Sequence, residues 1–311
     1  GIPCARSVAF DDYEAACRYL EAQPLPVVVK ADGLAAGKGV TVASTREEAL
    51  GALRTSMVDG AFGTAGRRVI IEECLEGLEA SVFAFCDGER LLMTVPACDY
   101  KLVFDGDHGP NTGGMGSYSP PEFWTPELAA AIRADVMEAA AQAMAAEGCP
   151  YTGVLYAGLM LCADGPMVIE FNCRFGDPET QPIMLRLQSS LVALVEAANA
   201  GTLDQVDAKW DPRCSLGVVL AAGGYPADYA KGDVINGLDV AVSDSGKVFH
   251  AGTALKDGQV TTSGGRVLCA TALGNSVREA QQGAYRLAEQ ISWNGCFYRK
   301  DIGYRAIARE S

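Results

Sequence analysis

A carboxylate and a carboxamide two residues apart offer the first chemistry. The apolar run Val168-Ile169-Glu170-Phe171-Asn172 predicts a strand. Side chains alternate along a strand, so Glu170 and Asn172 share one face, roughly 6–7 Å apart along the chain, with Ile169 and Phe171 turned toward apolar packing. Two hard oxygen donors on one face suit Mg²⁺ bridging phosphates. The plain alternative is the solvated side of an edge strand. The run directly behind the pair, Cys173-Arg174-Phe175-Gly176-Asp177-Pro178-Glu179-Thr180, weakens that alternative by packing in more charge and turn residues.

A glycine loop offers the second. Gly33, Gly37 and Gly39 surround Lys38, just after a strand that ends in Lys30. Glycines let backbone N–H groups close on phosphate oxygens, and lysines neutralise them. The spacing is not that of a P-loop, no Ser or Thr follows the lysine, and the loop leads into a strand, so a β–loop–β cover over nucleotide phosphates fits better. An ordinary Gly-rich turn stays open for this loop taken alone. The run Gly109-Pro110-Asn111-Thr112-Gly113-Gly114-Met115-Gly116 could form an anion-binding nest, with Asp99, Lys101, Asp105 and Asp107 before it. Glu72-Glu73-Cys74-Leu75 ends a strand and could line an adenine and a ribose, or be a solvated acidic turn. Arg266, after Gly264-Gly265, and the run Ala221–Pro226 could line a ligand cleft or only make tight turns.

Elements that would position these residues follow from pattern. A helix is expected over Asp11–Leu20, and strands over Pro26–Lys30, Gly39–Ala43 and Arg68–Glu73. Thr45 and Glu48 read as a capping box. Hairpins are expected around Asp87-Gly88 and Asp164-Gly165. Between them lie a long loop, Ala97–Pro121, and a helix opened by Thr125-Pro126-Glu127 and ended by Gly148. Leu128, Ile132, Val136 and Met144 form that helix's core stripe. A helix over about Gln181–Ala200, a boundary over Gly201–Pro212, strands at Leu216–Ala221, Lys247–Phe249 and Arg266–Thr271, and a helix capped by Ser276 and Glu279 complete the expected elements.

The 311 residues include 49% hydrophobic and 21% charged ones, which excludes a disordered or fibrous chain. A net charge of −14 argues against nucleic-acid or anionic-membrane partners. Eleven cysteines without zinc spacing point to a reducing, cytoplasmic setting, with Cys17, Cys162 and Cys269 as core fillers. Two histidines leave the chemistry to carboxylates, lysines and backbone amides. The opening Gly1-Ile2-Pro3 reads as the middle of a longer protein.

Several long motifs in order resemble one family, the phosphoribosylamine–glycine ligases of the ATP-grasp superfamily. They are Val29–Val40, Gly109–Gly116, Leu155–Met160 and Glu170–Gln181, followed by Phe249–Thr253, Gly264–Val267 and Arg299–Gly303. The resemblance implies an α+β, ATP-grasp fold: two α+β subdomains gripping ATP, followed by a mainly antiparallel C-terminal domain. Residues 1–76 would be the small lid, 77–205 the large half with the metal site, and 206–311 the C-terminal domain. A Rossmann-like N-terminal domain of the family would be absent from this chain.

The resemblance further implies ATP-dependent ligation of glycine to 5-phosphoribosylamine through glycyl phosphate, in purine synthesis. A monomer is expected. Lys30, Gly33, Gly37, Lys38, Gly39 and Val40 would grip the phosphates of ATP, and Glu72, Glu73, Leu75 and Glu79 would lie along the adenosine. Glu170 and Asn172 would hold Mg²⁺ or Mn²⁺. Arg174, Asp99, Lys101, Asn111, Thr112, Gly113 and Gly114 would face the reacting groups. Leu102 stands where the family often has arginine. The alternatives are another ATP-grasp carboxylate–amine ligase, or a nucleotide-binding fragment without turnover.

Overall fold

Valine-rich strands and side-chain-capped helices build the first of two units. The computed structural model describes residues 1–35, 39–240 and 245–310. The first unit holds Gly1, Pro3–Leu78 and Met160–Ile169, and the second Ile2, Glu79–Leu159 and Glu170–Ser311. In the first, β1 (Ser7–Phe10), α1 (Tyr13–Glu21), β2 (Val27–Ala31), β3 (Val40–Ala43), α2 (Arg46–Met57) and β4 (Val69–Glu73) follow in turn. The strands form an antiparallel sheet in the order β1-β4-β2-β3. Asp12 caps α1, and Thr45 with Glu48 makes the expected capping box on α2. The period of two sends Val27, Val29, Val69 and Ile71 into one core with Leu20 and Leu53. The opposite face therefore carries Lys30 and Glu72.

In the second unit, β5 (Leu78–Asp87, entering from the first unit) and β6 (Leu91–Met93) form the hairpin expected at Asp87-Gly88. The stretch 97–121 is not a loop. It contains β7 (Cys98–Asp99), β8 (Leu102–Phe104), β9 (His108–Asn111) and β10 (Gly116–Ser119). Strand β10 escapes a hydrophobicity pattern because its buried residues include Ser117 and Ser119, whose hydroxyls donate to Pro178 O and Pro96 O at 2.8 and 2.6 Å. Satisfied hydroxyls can be buried where unpaired ones would cost.

Next come α3 (Pro126–Ile132), a π-helical stretch over Arg133–Glu138, and α4 (Ala139–Ala146). The wider π turn rotates the face that follows it. Ile132 and Val136 are accordingly buried, Leu128 is half-buried, and Met144, expected in the same stripe, is 41% exposed.

The strands β11 (Thr152–Cys162) and β12 (Gly165–Asn172) are neighbours in the sheet ordered β12-β11-β5-β6. The single helix expected over Gln181–Ala200 is two, α5 (Thr180–Arg186) and α6 (Leu191–Ala200). Leu187 turns extended to bridge Trp210, and Ser190 caps the second helix through Ala193 N.

Strand β13 (Cys214–Ala221) precedes β14 (Gly246–His250), the small hairpin β15 (Thr253–Lys256) and β16 (Gln259–Thr262), and β17 (Arg266–Gly274). Helices α7 (Val277–Ala288), capped by Ser276 as expected, and α8 (Tyr304–Arg309) close the chain. The central sheet runs β14-β17-β13-β10-β7. Strand β10 is thus a partner of β13, with Gly116 opposite Val218.

Candidate functional site

In the first unit, Lys30 and Glu72 lie on neighbouring antiparallel strands, with Lys30 opposite Ile70 and Val28 opposite Glu72. They share a face, and Lys30 Nζ meets Glu72 Oε2 at 2.5 Å. Glu73 points the other way. Its carboxylate takes Arg6 N at 2.9 Å and Arg6 Nε at 2.8 Å, and its own N–H donates to Arg6 O. Gly33 and Gly39 answer to packing. A Cβ on Gly33 would stand 2.5 Å from Ala65 Cα, and one on Gly39 would stand 2.8 Å from Ala35 Cβ. Val40, opposite Lys30 on β3, is exposed, and Leu75 is half-buried beyond the end of β4. Gly37 and Lys38 lie outside the described residues.

In the second unit, the end of β12 presents a row. Asn172 Nδ2 donates to Glu170 Oε1 at 3.0 Å, and Arg174 Nη2 donates to Asn172 Oδ1 at 3.4 Å. Alternation puts Glu170 and Asn172 on one face as the spacing predicts. Phe171 on the other face is 38% exposed, so it lacks the full apolar cover expected of it. The donor set is one carboxylate and one amide oxygen, both hard, which fits Mg²⁺ or Mn²⁺ and disfavours softer ions. Among the described residues no three His, Cys, Asp or Glu side chains gather for a metal. A cation here would therefore need oxygens from a ligand, such as phosphates.

A second group gathers around Lys101. Its Nζ meets Glu79 Oε2 at 2.7 Å and Asp99 Oδ1 at 2.8 Å. Burial opposes its charge, but Asp99 and Glu79 outweigh burial and hold the pKa well above the ordinary value. The backbone carbonyl of Lys101 accepts from Thr112 N and Oγ1, and Thr112 Oγ1 accepts from Gly114 N at 3.0 Å. Asp99, Lys101, Glu79, Thr112, Gly113 and Gly114 thus form one neighbourhood. Asn111 is exposed at the end of β9, opposite Leu102.

Two contributors carry no role in the sequence reading. Glu179 is buried, and its Oε1 accepts from Tyr156 OH at 2.8 Å and Ser81 Oγ at 3.1 Å. Burial, then the nearby Asp99, raises its pKa to about 7. The spacing of a turn gives no signal that its glutamate will be buried. The other is Arg299, fully buried, with Nη1 donating to Leu102 O and Asp107 Oδ1, both at 2.9 Å. Arg266, read above as lining a ligand cleft or only making a tight turn, reaches Gly113 O and Asp177 O, both at 2.6 Å.

Comparison with known proteins defines the class. Residues 1–180 match the phosphoribosylglycinamide synthetase ATP-grasp (A) domain, and residues 215–305 the C domain of the same family. The biotin carboxylase domain of Hydrogenobacter thermophilus 2-oxoglutarate carboxylase is 16% identical with a TM-score of 0.73, covering 96% of this chain and 64% of that one, and shares the fold alone. The class is that of the ATP-grasp ligases.

Within it the likeness is specific. Phosphoribosylamine–glycine ligases of Pseudomonas aeruginosa and Vibrio cholerae are 63% and 59% identical over 310 residues, 99% of this chain and 72% of each relative. A crystal structure of the Thermotoga maritima phosphoribosylamine–glycine ligase is 35% identical with a TM-score of 0.88, covering 97% of this chain and 75% of that one. The chain belongs to the phosphoribosylamine–glycine ligase family.

Proposed function

We propose that this chain carries out ATP-dependent ligation of glycine to 5-phosphoribosylamine, giving glycinamide ribonucleotide, ADP and phosphate, as a step of purine synthesis. A glycine carboxylate oxygen attacks the γ-phosphorus of ATP, ADP leaves, and glycyl phosphate forms. The amine nitrogen of phosphoribosylamine then attacks the acyl carbon, the C–O bond to phosphate breaks, and the amine loses a proton. No covalent bond to the protein is needed, so positioning and charge neutralisation carry the reaction.

Each residue is assigned accordingly. Lys30 and the Gly33–Val40 loop, with Gly37, Lys38 and Gly39, grip the ATP phosphates. Glu72, Glu73, Leu75 and Glu79 lie along the adenosine. Glu170 and Asn172 hold Mg²⁺ or Mn²⁺, which when bound screens phosphate charge. Arg174, Asp99, Lys101, Asn111, Thr112, Gly113 and Gly114 face the substrates. Residues 1–76, 77–205 and 206–311 serve as lid, large half and C-terminal domain. The unit division after Leu78 supports the first of these boundaries, and the gap between the family matches ending at 180 and beginning at 215 supports the second. The working protein is a cytoplasmic monomer with small-molecule partners. The free state of all eleven cysteines supports a reducing compartment. Among the described residues no helix is long and apolar enough to cross a membrane.

The observation that carries the reading is the row Glu170, Asn172, Arg174 at the end of β12, in a chain of this family. The test is ADP release by the purified protein. It should require glycine and phosphoribosylamine together. Glycine-dependent release with a different amine acceptor, and none with phosphoribosylamine, would favour another ligase of the class.

A further inference from the structure

Both backbone polar groups of Gly113 are held by residues far away in sequence. Its N–H donates to Tyr225 OH at 3.0 Å, and its carbonyl accepts from Arg266 Nη1 at 2.6 Å. The same Nη1 donates to Asp177 O at 2.6 Å and reaches Gly114 O at 3.3 Å, while Nη2 donates to Asp177 Oδ2 at 3.0 Å. Three carbonyl oxygens from two separate turns therefore converge on one guanidinium. Carbonyl dipoles aimed at one point repel each other unless a cation with several fixed donors lies among them. Arginine's planar fork supplies that, and a lysine point charge does so only in part.

Local packing leaves little room for side chains at these glycines. A Cβ on Gly113 would stand 2.8 Å from Arg266 Cζ. Gly114 has φ +112°, and a Cβ there would stand 2.3 Å from Pro178 Cδ. On the far side, a Cβ on Gly265 would stand 2.3 Å from Tyr225 Cδ2, so the glycine before Arg266 makes room for the tyrosine. Arg266 opens β17 opposite Ala221, beside an irregularity in the β13 register. Its side chain is only 20% exposed, whereas Asp177 is 50% exposed, so the carbonyl contacts dominate over a screened ion pair.

We propose that Arg266 is a positioning residue. It locks the Gly113–Gly114 turn to the Asp177–Pro178 backbone, and so sets the geometry of the two segments that hold Thr112 and Arg174. Tyr225 is its second jaw. The proposal rests on the reading that these segments face the substrates. It also gives the C-terminal part of the chain a part in the reaction, since Arg266 lies within residues 215–305.

The test uses the intact protein with Arg266→Ala, Arg266→Lys and Tyr225→Phe. Hydrogen exchange is followed on peptides covering 109–118, 173–182 and 267–272, together with initial rates over glycine and ATP. Arg266→Ala should speed exchange in the first two peptides roughly tenfold and leave 267–272 unchanged. Its kcat should fall about 10²-fold, the scale of a misplacement near 1 Å, with the KM for ATP held. Arg266→Lys should recover part of the kcat, which a merely structural loss would not show. Tyr225→Phe should loosen 109–118 alone and keeps the test open if Arg266→Ala does not fold. Unchanged exchange in all three variants would overturn the clamp and leave the substrate-facing reading standing. Faster exchange with unchanged kcat would overturn the substrate-facing reading of both segments, and with it the role of Arg266.

Discussion

Glu170 sits exposed at the end of β12 and accepts one hydrogen bond from Asn172. Removing its carboxylate should therefore leave stability within about 0.5 kcal/mol. Glu170→Ala should instead lower ligation by about 10²–10³-fold, the scale of losing one preorganised electrostatic contact. It should also abolish any extra thermal stabilisation that Mg²⁺ adds to ATP. An undiminished rate and an undiminished Mg²⁺ effect would remove Glu170 from the metal role. Glu179 behaves in the opposite way. Its pKa of about 7 lies above the ordinary 4.5, so the folded protein holds a proton that the unfolded chain has lost. Its effect is fully favourable below about pH 4.5, declines as pH rises through about 7, and is then spent. Glu179→Gln keeps an oxygen for Tyr156 and Ser81 but cannot ionise. Melting temperatures measured from pH 5 to 8 should fall less steeply for the variant than for the parent, and the variant should be the more stable at pH 8. Parallel curves would show that Glu179 is already ionised at pH 5.

Elements hold these residues through their ends as much as their faces. Helix α2 is fixed at its start by Thr45 Oγ1 accepting from Glu48 N at 3.2 Å, while Glu48 Oε2 accepts from Ser44 N at 2.8 Å. Its inner face buries Ala49 and Leu53 behind the strand that carries Lys30. Thr45→Ala should cost about 1 kcal/mol, a usual figure for an N-cap. Amide exchange in the first turn of α2 should show it, rising about fivefold with little change in β13 or β17. A uniform rise across both units would mean that the cap stabilises the whole chain and not one helix.

On the scale of the whole molecule, the second unit encloses a fully buried cation, Arg299, among carboxylates and a carbonyl. Arg299 donates to both oxygens of Asp301 at 2.8 Å, to Asp107 Oδ1 and to Leu102 O, and lies 5.0 Å from the centre of the Tyr100 ring. It joins the segment before α8 to the hairpin of β8 and β9, whose last residue is Asn111. Removing one partner of such a network costs about 3–5 kcal/mol because the remaining charges lose their compensation. Asp107 and Asp301 are each about a fifth exposed, which places Arg299→Met near the lower end of that range. Chemical denaturation should show the loss. A change below about 1 kcal/mol would mean that water replaces the arginine at both carboxylates.

The strand over Val27–Lys30, the capping residues Thr45 and Ser276, and the turn at Asp87-Gly88 were legible because each depends on neighbours within a few residues. So was the shared face of Glu170 and Asn172, which follows from strand geometry alone. The strands within 97–121 were not legible, since Ser117 and Ser119 become core residues only when Pro178 and Pro96 offer carbonyls. Nor was the break at Leu187, which waits on Trp210, or the outward turn of Met144, which waits on a π turn. The pairing of Gly113 with Arg266 spans 153 residues, and the raised pKa of Glu179 comes from burial and from Asp99, far away in the sequence. Local periodicity and turn chemistry lie in the amino-acid order itself. Burial, desolvation and the convergence of distant dipoles exist only once the chain has folded.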